Sequence, residues 1–220
     1  LHLCREQTIH LGEGELIVGE RGPRPKAVPT YPELTCHSLA DLRILDSRPK
    51  TSYQVDRACL EAYETTVIPY WRGRSLRDRI FAELDEAWMA AYEAGVFTEF
   101  MEQRAPGHTV LDGKIYQRGL RSFQGEIDAA IGALDWAQDP MAYDRREALQ
   151  AMRIACDAVI LFAERHAALA EELAAREPGA ERRAELLRIA RICRRVPAEA
   201  PRDFHEALQA YWFCHLAVIT

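Results

Sequence analysis

From Ser38 onward, apart from 96–118, apolar residues recur at helical spacing almost to the last residue. Before Ser38 they do not. Ser38 can cap a short helix through Ile44, and a second helix is expected over 56–67. Pro69-Tyr70-Trp71-Arg72-Gly73 should interrupt it, because proline lacks an N–H and restricts the residue before it. Ser75 followed by Asp78 resembles an acidic capping box. It opens a predicted helix over 76–94, with Ile80, Leu84, Trp88, Ala91 and Tyr92 on one stripe. Gly95 ends that run.

The longest predicted helix covers 144–175. Leu149, Met152, Cys156, Val159, Ile160 and Ala163 would form its apolar face. Pro178-Gly179 breaks it. A helix over 181–195 follows, with Leu186, Leu187, Ile189, Ala190 and Cys193 apolar. Val196-Pro197 and Ala200-Pro201 make a loop, and Asp203 caps a last helix over 204–219. Residues 1–37 are irregular. Leu16-Ile17-Val18-Gly19 reads as a short buried extended segment ending in a turn. The prolines at 23, 25, 29 and 32 mark an extended wrapping stretch, or a plain linker, with Tyr31 and Leu34 available to pack along a core. The fold class expected is mostly α, with 1–37 irregular and 38–220 mainly helical.

Composition narrows the function classes. Of the 220 residues, 48% are apolar and 28% charged, the profile of an ordinary water-soluble globular chain. The net charge of −6, with Glu and Asp accompanying most arginines, argues against nucleic-acid binding. The pairs Arg182-Arg183 and Arg194-Arg195 read as solvated helix faces. The apolar stretch 210–219 is broken by His215 and too short to span a bilayer. No basic start followed by an apolar run marks a secretory leader, and a cytoplasmic location is inferred. The six cysteines, at 4, 36, 59, 156, 193 and 214, form no CxxC pair. Neither a zinc site nor a disulfide scaffold is expected. Cys156 and Cys193 fall in apolar helical patterns as small buried thiols. The chain opens on Leu1 rather than Met and closes on an apolar stretch, as a piece of a longer protein would.

One stretch, 95–110, combines aromatics, carboxylates, an arginine and a histidine around a strong turn signal, Pro106-Gly107. His108 at such a bend can carry a proton near neutral pH, or can simply bond a backbone carbonyl. Glu99 and Glu102 are candidate acids or bases, or partners of Arg104. Phe97 and Phe100 can stack on a ligand or fill the core. The neighbours Cys36-His37 and Cys214-His215 point apart and make poor catalytic pairs. His166 and His205 sit beside Glu and Arg on helices and read as surface residues. No phosphate loop and no His-Glu-x-x-His zinc helix is present.

Several strings resemble the N-terminal region of the glycyl radical enzymes, the pyruvate formate-lyase-like superfamily. They are Glu15-Leu-Ile-Val-Gly-Glu-Arg, Tyr31-Pro-Glu, Val67-Ile-Pro-Tyr-Trp-Arg-Gly, Gly107-His-Thr-Val, Ala190-Arg-Ile-Cys-Arg-Arg-Val-Pro-Ala and Phe204-His-Glu-Ala-Leu-Gln-Ala-Tyr-Trp-Phe-Cys-His. They run in the family's order along nearly all of 1–220. The resemblance implies the N-terminal helical part of a ten-stranded α/β barrel enzyme. It implies a stored glycyl radical, installed by a separate S-adenosylmethionine and iron–sulfur activating enzyme, and a cysteine that takes hydrogen from a small-molecule substrate. Both radical positions fall outside these residues, so 1–220 alone would be inactive and would bind no cofactor.

Residues 95–110 look most like the trans-4-hydroxy-L-proline dehydratase branch. Carried over, Phe100 would pack on the pyrrolidine ring and His108 would join a proton relay. Diol and glycerol dehydratases, choline and isethionate lyases, formate acetyltransferases and arylacetate decarboxylases are the alternatives within the family. Outside enzymatic function, the alternatives are a helical interaction module or a scaffold paralogue. A homodimer is common in the family; the sequence itself gives no oligomeric state.

Overall fold

The computed structural model describes residues 1–22, 24–28, 30–50, 52–96 and 112–219. Among these, eleven α-helical segments follow in order. They are α1 (His2–Glu6), α2 (Leu39–Ser47), α3 (Arg57–Ala62), α4 (Ile68–Trp71), α5 (Leu76–Glu83), α6 (Glu86–Glu93), α7 (Lys114–Gln117), α8 (Leu120–Gly132), α9 (Ala142–Arg176), α10 (Ala180–Arg195) and α11 (Phe204–Ile219). Two isolated bridges, between Ala27 and Gln54 and between Tyr31 and Thr35, are the β pairing among the described residues. The chain divides into two compact units, Leu1–Pro25 with Gly107–Thr220, and Lys26–Pro106.

The first unit is built on α9 and α10. The short connection at 177–179 folds them back on each other as an αα-hairpin, and α8 and α11 pack against α9. The core joins Val159, Ile160, Phe162, Ala163, Ala167 and Ala170 of α9 to Ile189, Ala190 and Cys193 of α10 and Phe213 and Leu216 of α11. Small side chains at 163, 167, 170 and 174 let the helices approach closely. The buried stripe begins at Ala158. It does not extend back over the expected face: Met152 is 57% exposed, and Leu149 and Cys156 are half-buried. Leu187 is also exposed, whereas Leu186 and Ile189 are buried.

The N-terminal segment wraps this hairpin as an irregular chain, so its backbone polar groups need side-chain partners. Arg165 of α9 donates to the carbonyls of Cys4 and Gln7, both at 2.7 Å. Arg182 of α10 donates to Gly12 O at 2.9 Å and Glu15 O at 3.0 Å. Arg195 donates to Ala200 O at 2.6 Å and pairs with Glu206. Arg182 and Arg195 therefore depart from the expected solvated faces: both are half-buried and occupied with backbone, while Arg183 and Arg194 remain exposed.

Three α11 side chains, one turn apart, grip residues 16–19, which bend at 16–17 rather than forming the expected extended segment, with Val18 buried and Leu16 exposed. His205 Nε2 donates to Leu16 O at 2.7 Å. Gln209 accepts from Val18 N at 2.8 Å and donates to Val18 O at 2.7 Å. Trp212 Nε1 donates to Gly19 O at 2.8 Å. Gly19 adopts φ +124, and a Cβ there would lie 2.8 Å from Leu216 Cδ1. Only glycine meets both demands.

The second unit holds shorter helices with side-chain caps. Ser38 and Asp41 complete a reciprocal capping box at α2, and Asp56, Ser75 and Asp85 cap α3, α5 and α6. Two expectations are corrected here. Pro69 does not interrupt the helix begun at Arg57. A π-helical turn over Tyr63–Val67 widens it, and α4 continues with Pro69 in its first turn, where a missing N–H is tolerated. The helix turns off at Gly73, φ +72. The stretch 76–94 is also two helices, because the Asp85 carboxylate accepts from Trp88 N at 2.9 Å and starts a new one.

Candidate functional site

Phe100 and His108 lie outside the described residues, as do Phe97, Glu99, Glu102 and Arg104. On the N-terminal side, α6 closes with Gly95 at φ +72 and Val96 N donating to Ala91 O at 3.0 Å. There Arg77 stacks 3.9 Å from the Phe81 ring centroid and donates to the Tyr92 hydroxyl at 3.1 Å. This cation–π packing holds α5 against α6.

On the C-terminal side, Asp112 takes φ 55, Ile115 of α7 is buried, and α7 packs on α11. Next comes a backbone latch. Leu120 N donates to Pro197 O at 2.8 Å and Arg121 N to Ala198 O at 3.1 Å. The free N–H groups opening α8 are thus met by carbonyls of the loop after α10, where the Val196–Pro197 bond is cis. A Cβ on Gly119 would sit 2.1 Å from Ala198 O, so the latch closes only on glycine.

The histidines divide. His166, expected on the surface, is fully buried. Its Nδ1 donates to Phe162 O at 2.8 Å, and its ring lies edge-on to Phe162 and tilted against Phe213. Burial first of all, with Arg165 adding to it, pushes its pKa down to about 4, so the imidazole is neutral at pH 7. Its Nε2 meets no partner among the described residues. His205 is half-buried and spent on Leu16 O. His215 stacks on Tyr211 and Trp212 rather than pairing with Cys214.

Five of the six thiols lack the surroundings of an activated nucleophile. Burial pushes Cys193 and Cys214 up to about 12 and raises Cys4, Cys36 and Cys156, the reverse of an activated cysteine. Burial likewise raises the Tyr63 phenol. Among the described residues no group of three His, Cys, Asp or Glu is placed to hold a metal.

Two open clefts flank α9. One, of about 680 Å³, has Gly12, Glu13, Arg176, Glu181, Arg182 and Glu185 in its walls, where carboxylates offset the guanidinium groups. The other, of about 620 Å³, is apolar, with Leu120, Phe123, Ile127, Met152, Cys156 and Val218. Neither gathers an acid, a base and a nucleophile.

The Pyruvate formate lyase-like family profile matches residues 1–220, and the chain belongs to that family. It is 42% identical over 219 residues to trans-4-hydroxy-L-proline dehydratase of Clostridioides difficile, spanning 100% of this chain and 28% of that protein. It is 32% identical over 226 residues to isethionate sulfite-lyase of Desulfovibrio desulfuricans, spanning 98% and 27%. The crystal structure of the C. difficile hydroxyproline dehydratase with substrate bound superposes with a TM-score of 0.89 at 41% identity, over 99% of this chain and 28% of that one. The glycerol-bound B12-independent glycerol dehydratase from Clostridium butyricum gives 0.85 at 27%, again over 99% and 28%. The chain thus spans little more than a quarter of the length of these relatives, and its helical make-up agrees with the N-terminal helical part expected of a glycyl radical enzyme.

Proposed function

We propose that the full-length protein is a glycyl radical dehydratase that removes water from trans-4-hydroxy-L-proline. The observation that carries this reading is the 42% identity to the hydroxyproline dehydratase along the whole chain, against 32% to the isethionate sulfite-lyase. In this reading the radical glycine and the hydrogen-abstracting cysteine belong to sequence outside 1–220, and a separate activating enzyme installs the radical. That radical supplies the one-electron chemistry.

The loop between α6 and α7 supplies contacts. Phe100 packs on the pyrrolidine ring and holds it in place. His108 hands a proton to the departing hydroxyl, so that it leaves as water rather than as hydroxide. In the described chain the Arg77 stack orders α5 and α6, and the Gly119 latch orders the start of α8. No helix among the described residues is long and apolar enough to cross a membrane, and the proposed setting is the cytoplasm, with a homodimer as the assembly.

The test is an anaerobic assay of the activated full-length protein with hydroxyproline, isethionate, glycerol and choline. Turnover of hydroxyproline, lowered about 10²-fold or more in His108→Ala, supports the reading. Turnover of another of the four in its place moves the protein to that branch. A His108→Ala enzyme with unchanged kcat and KM removes His108 from the relay.

A further inference from the structure

Among the described residues His166 is the one fully buried histidine, and the chemistry proposed above does not use it. Three layers stack outward from it. Its ring centroid is 5.3 Å from that of Phe213. Phe213 shares a buried cluster with Val18 and Leu216 and lies beside Gly19, where a Cβ would meet Phe213 Cε1 at 3.4 Å and Leu216 Cδ1 at 2.8 Å. Gln209, one helical turn before Phe213, holds both backbone groups of Val18. The imidazole thus supports, through one aromatic ring, the place where the N-terminal segment docks on α11.

Nδ1 is occupied by Phe162 O, and Nε2 has no partner among the described residues. The neutral ring tolerates this as a bare lone pair. A proton on Nε2 would make it a charged donor among phenylalanine rings, which burial does not tolerate without a partner. Two charged groups act on the ring. Arg165, next to it on α9, opposes the proton, and Glu15, on the N-terminal segment, favours it. α11 presents Phe213. The Glu15 carboxylate is already engaged by Gly12 N at 2.7 Å, so reaching it requires the segment to shift.

We propose that His166 is an acid-sensitive pin, whose protonation at Nε2 displaces Phe213 and frees residues 16–19, with the chain before them, from α9 and α11. The direction follows from linkage. The buried ring binds a proton only near pH 4, whereas a solvated histidine does so near 6.5. The docked state therefore binds fewer protons than the released one. Docking is fully present above about pH 6.5, weakens as pH falls towards 4, and levels off below that.

The measurement is hydrogen exchange of the full-length protein, corrected for intrinsic rates, at pH 7.5 and 4.5. The peptide containing Val18 should lose about 10²-fold in protection between those values, with the mid-α8 peptide as the internal reference. In His166→Phe, which fills the same space without titrating, that loss should vanish. His166→Gln keeps a donor for Phe162 O and serves if the phenylalanine variant does not fold. Full protection of Val18 at pH 4.5 in the wild type overturns the proposal. So does an undiminished acid loss in either folded variant. The readout is independent of catalysis, so the proposal can fail without touching the dehydratase reading.

Discussion

Gln209 pairs with Val18 through two hydrogen bonds, of 2.8 and 2.7 Å, across 191 residues of sequence. A side-chain amide here does what a neighbouring strand would do, donating to the carbonyl and accepting from the N–H of one residue. Both partners are buried, so neither has water as an alternative. Gln209→Leu should leave a buried donor and a buried acceptor unmet, each worth roughly 1–3 kcal/mol. A loss of about 2–4 kcal/mol in urea unfolding is expected. Gln209→Glu keeps an acceptor for Val18 N but sets a buried carboxyl against Val18 O, so at pH 7 it should cost at least as much as Leu and recover as pH falls and the carboxyl is protonated. A Glu variant as stable as wild type at pH 7 would mean that the Val18 carbonyl does not need the amide donor.

Glycines provide a contrast on one helix. Gly119 precedes α8 with Ala198 O lying 2.1 Å from a virtual Cβ, whereas Gly125 inside α8 has nothing within 4 Å. Gly119→Ala must push the 197–198 loop away and break its bonds to Leu120 N and Arg121 N. A loss of more than about 2 kcal/mol follows from those two unmet groups. Gly125→Ala should instead stabilise the protein by about 0.5–1 kcal/mol, because alanine loses less backbone freedom in a helix. Thermal melts of the two variants check both signs.

The α2 capping box makes a pH-dependent prediction. Hydrogen bonding from the Ser38 backbone first, then its hydroxyl, holds the Asp41 carboxyl below the usual range. A depressed folded pKa means that its contribution is present above the ordinary carboxylate pKa and fades as pH falls through the folded value. Ser38→Ala should cost about 1 kcal/mol at pH 7. The difference between wild type and Asp41→Asn should shrink towards pH 2–3. A difference that stays constant down to pH 2 would show that the carboxylate charge contributes nothing.

Thiol accessibility separates the two buried cysteines from the others. Cys193 and Cys214 are 2% and 4% exposed, with burial pushing both up to about 12. At pH 8 they are protonated and enclosed, so iodoacetamide should leave both unmodified in the native protein and label all six after denaturation. Mass spectrometry of tryptic peptides reads this directly. Prompt native labelling of Cys193 would place it outside the core.

The local signals in the sequence were those that need only neighbours. Ser38, Asp56, Ser75 and Asp203 cap helices because a short polar side chain reaches an N–H three residues on. Pro178-Gly179 and Gly95 end helices for equally local reasons. The family, too, was legible from strings spread along the chain, and the profile match over 1–220 agrees. The candidate site was legible only as a composition, aromatics, carboxylates and a histidine around a turn, since no nearby residue says what such a loop faces.

Tertiary structure decided which polar residues would be drawn inside. Helical periodicity placed Met152 on an apolar face, yet no neighbouring element covers it among the described residues, and it is exposed. Charged neighbours in the sequence made His166, Arg182 and His205 look like surface residues. Each is instead used by the irregular N-terminal segment or by the ring beneath it. That segment forms no ladder of its own, so its N–H and C=O groups must find partners on α9, α10 and α11. Those partners lie 158 to 193 residues away in sequence. A pattern over a few turns of chain can state that a backbone needs partners. Only the folded arrangement determines which side chains become them.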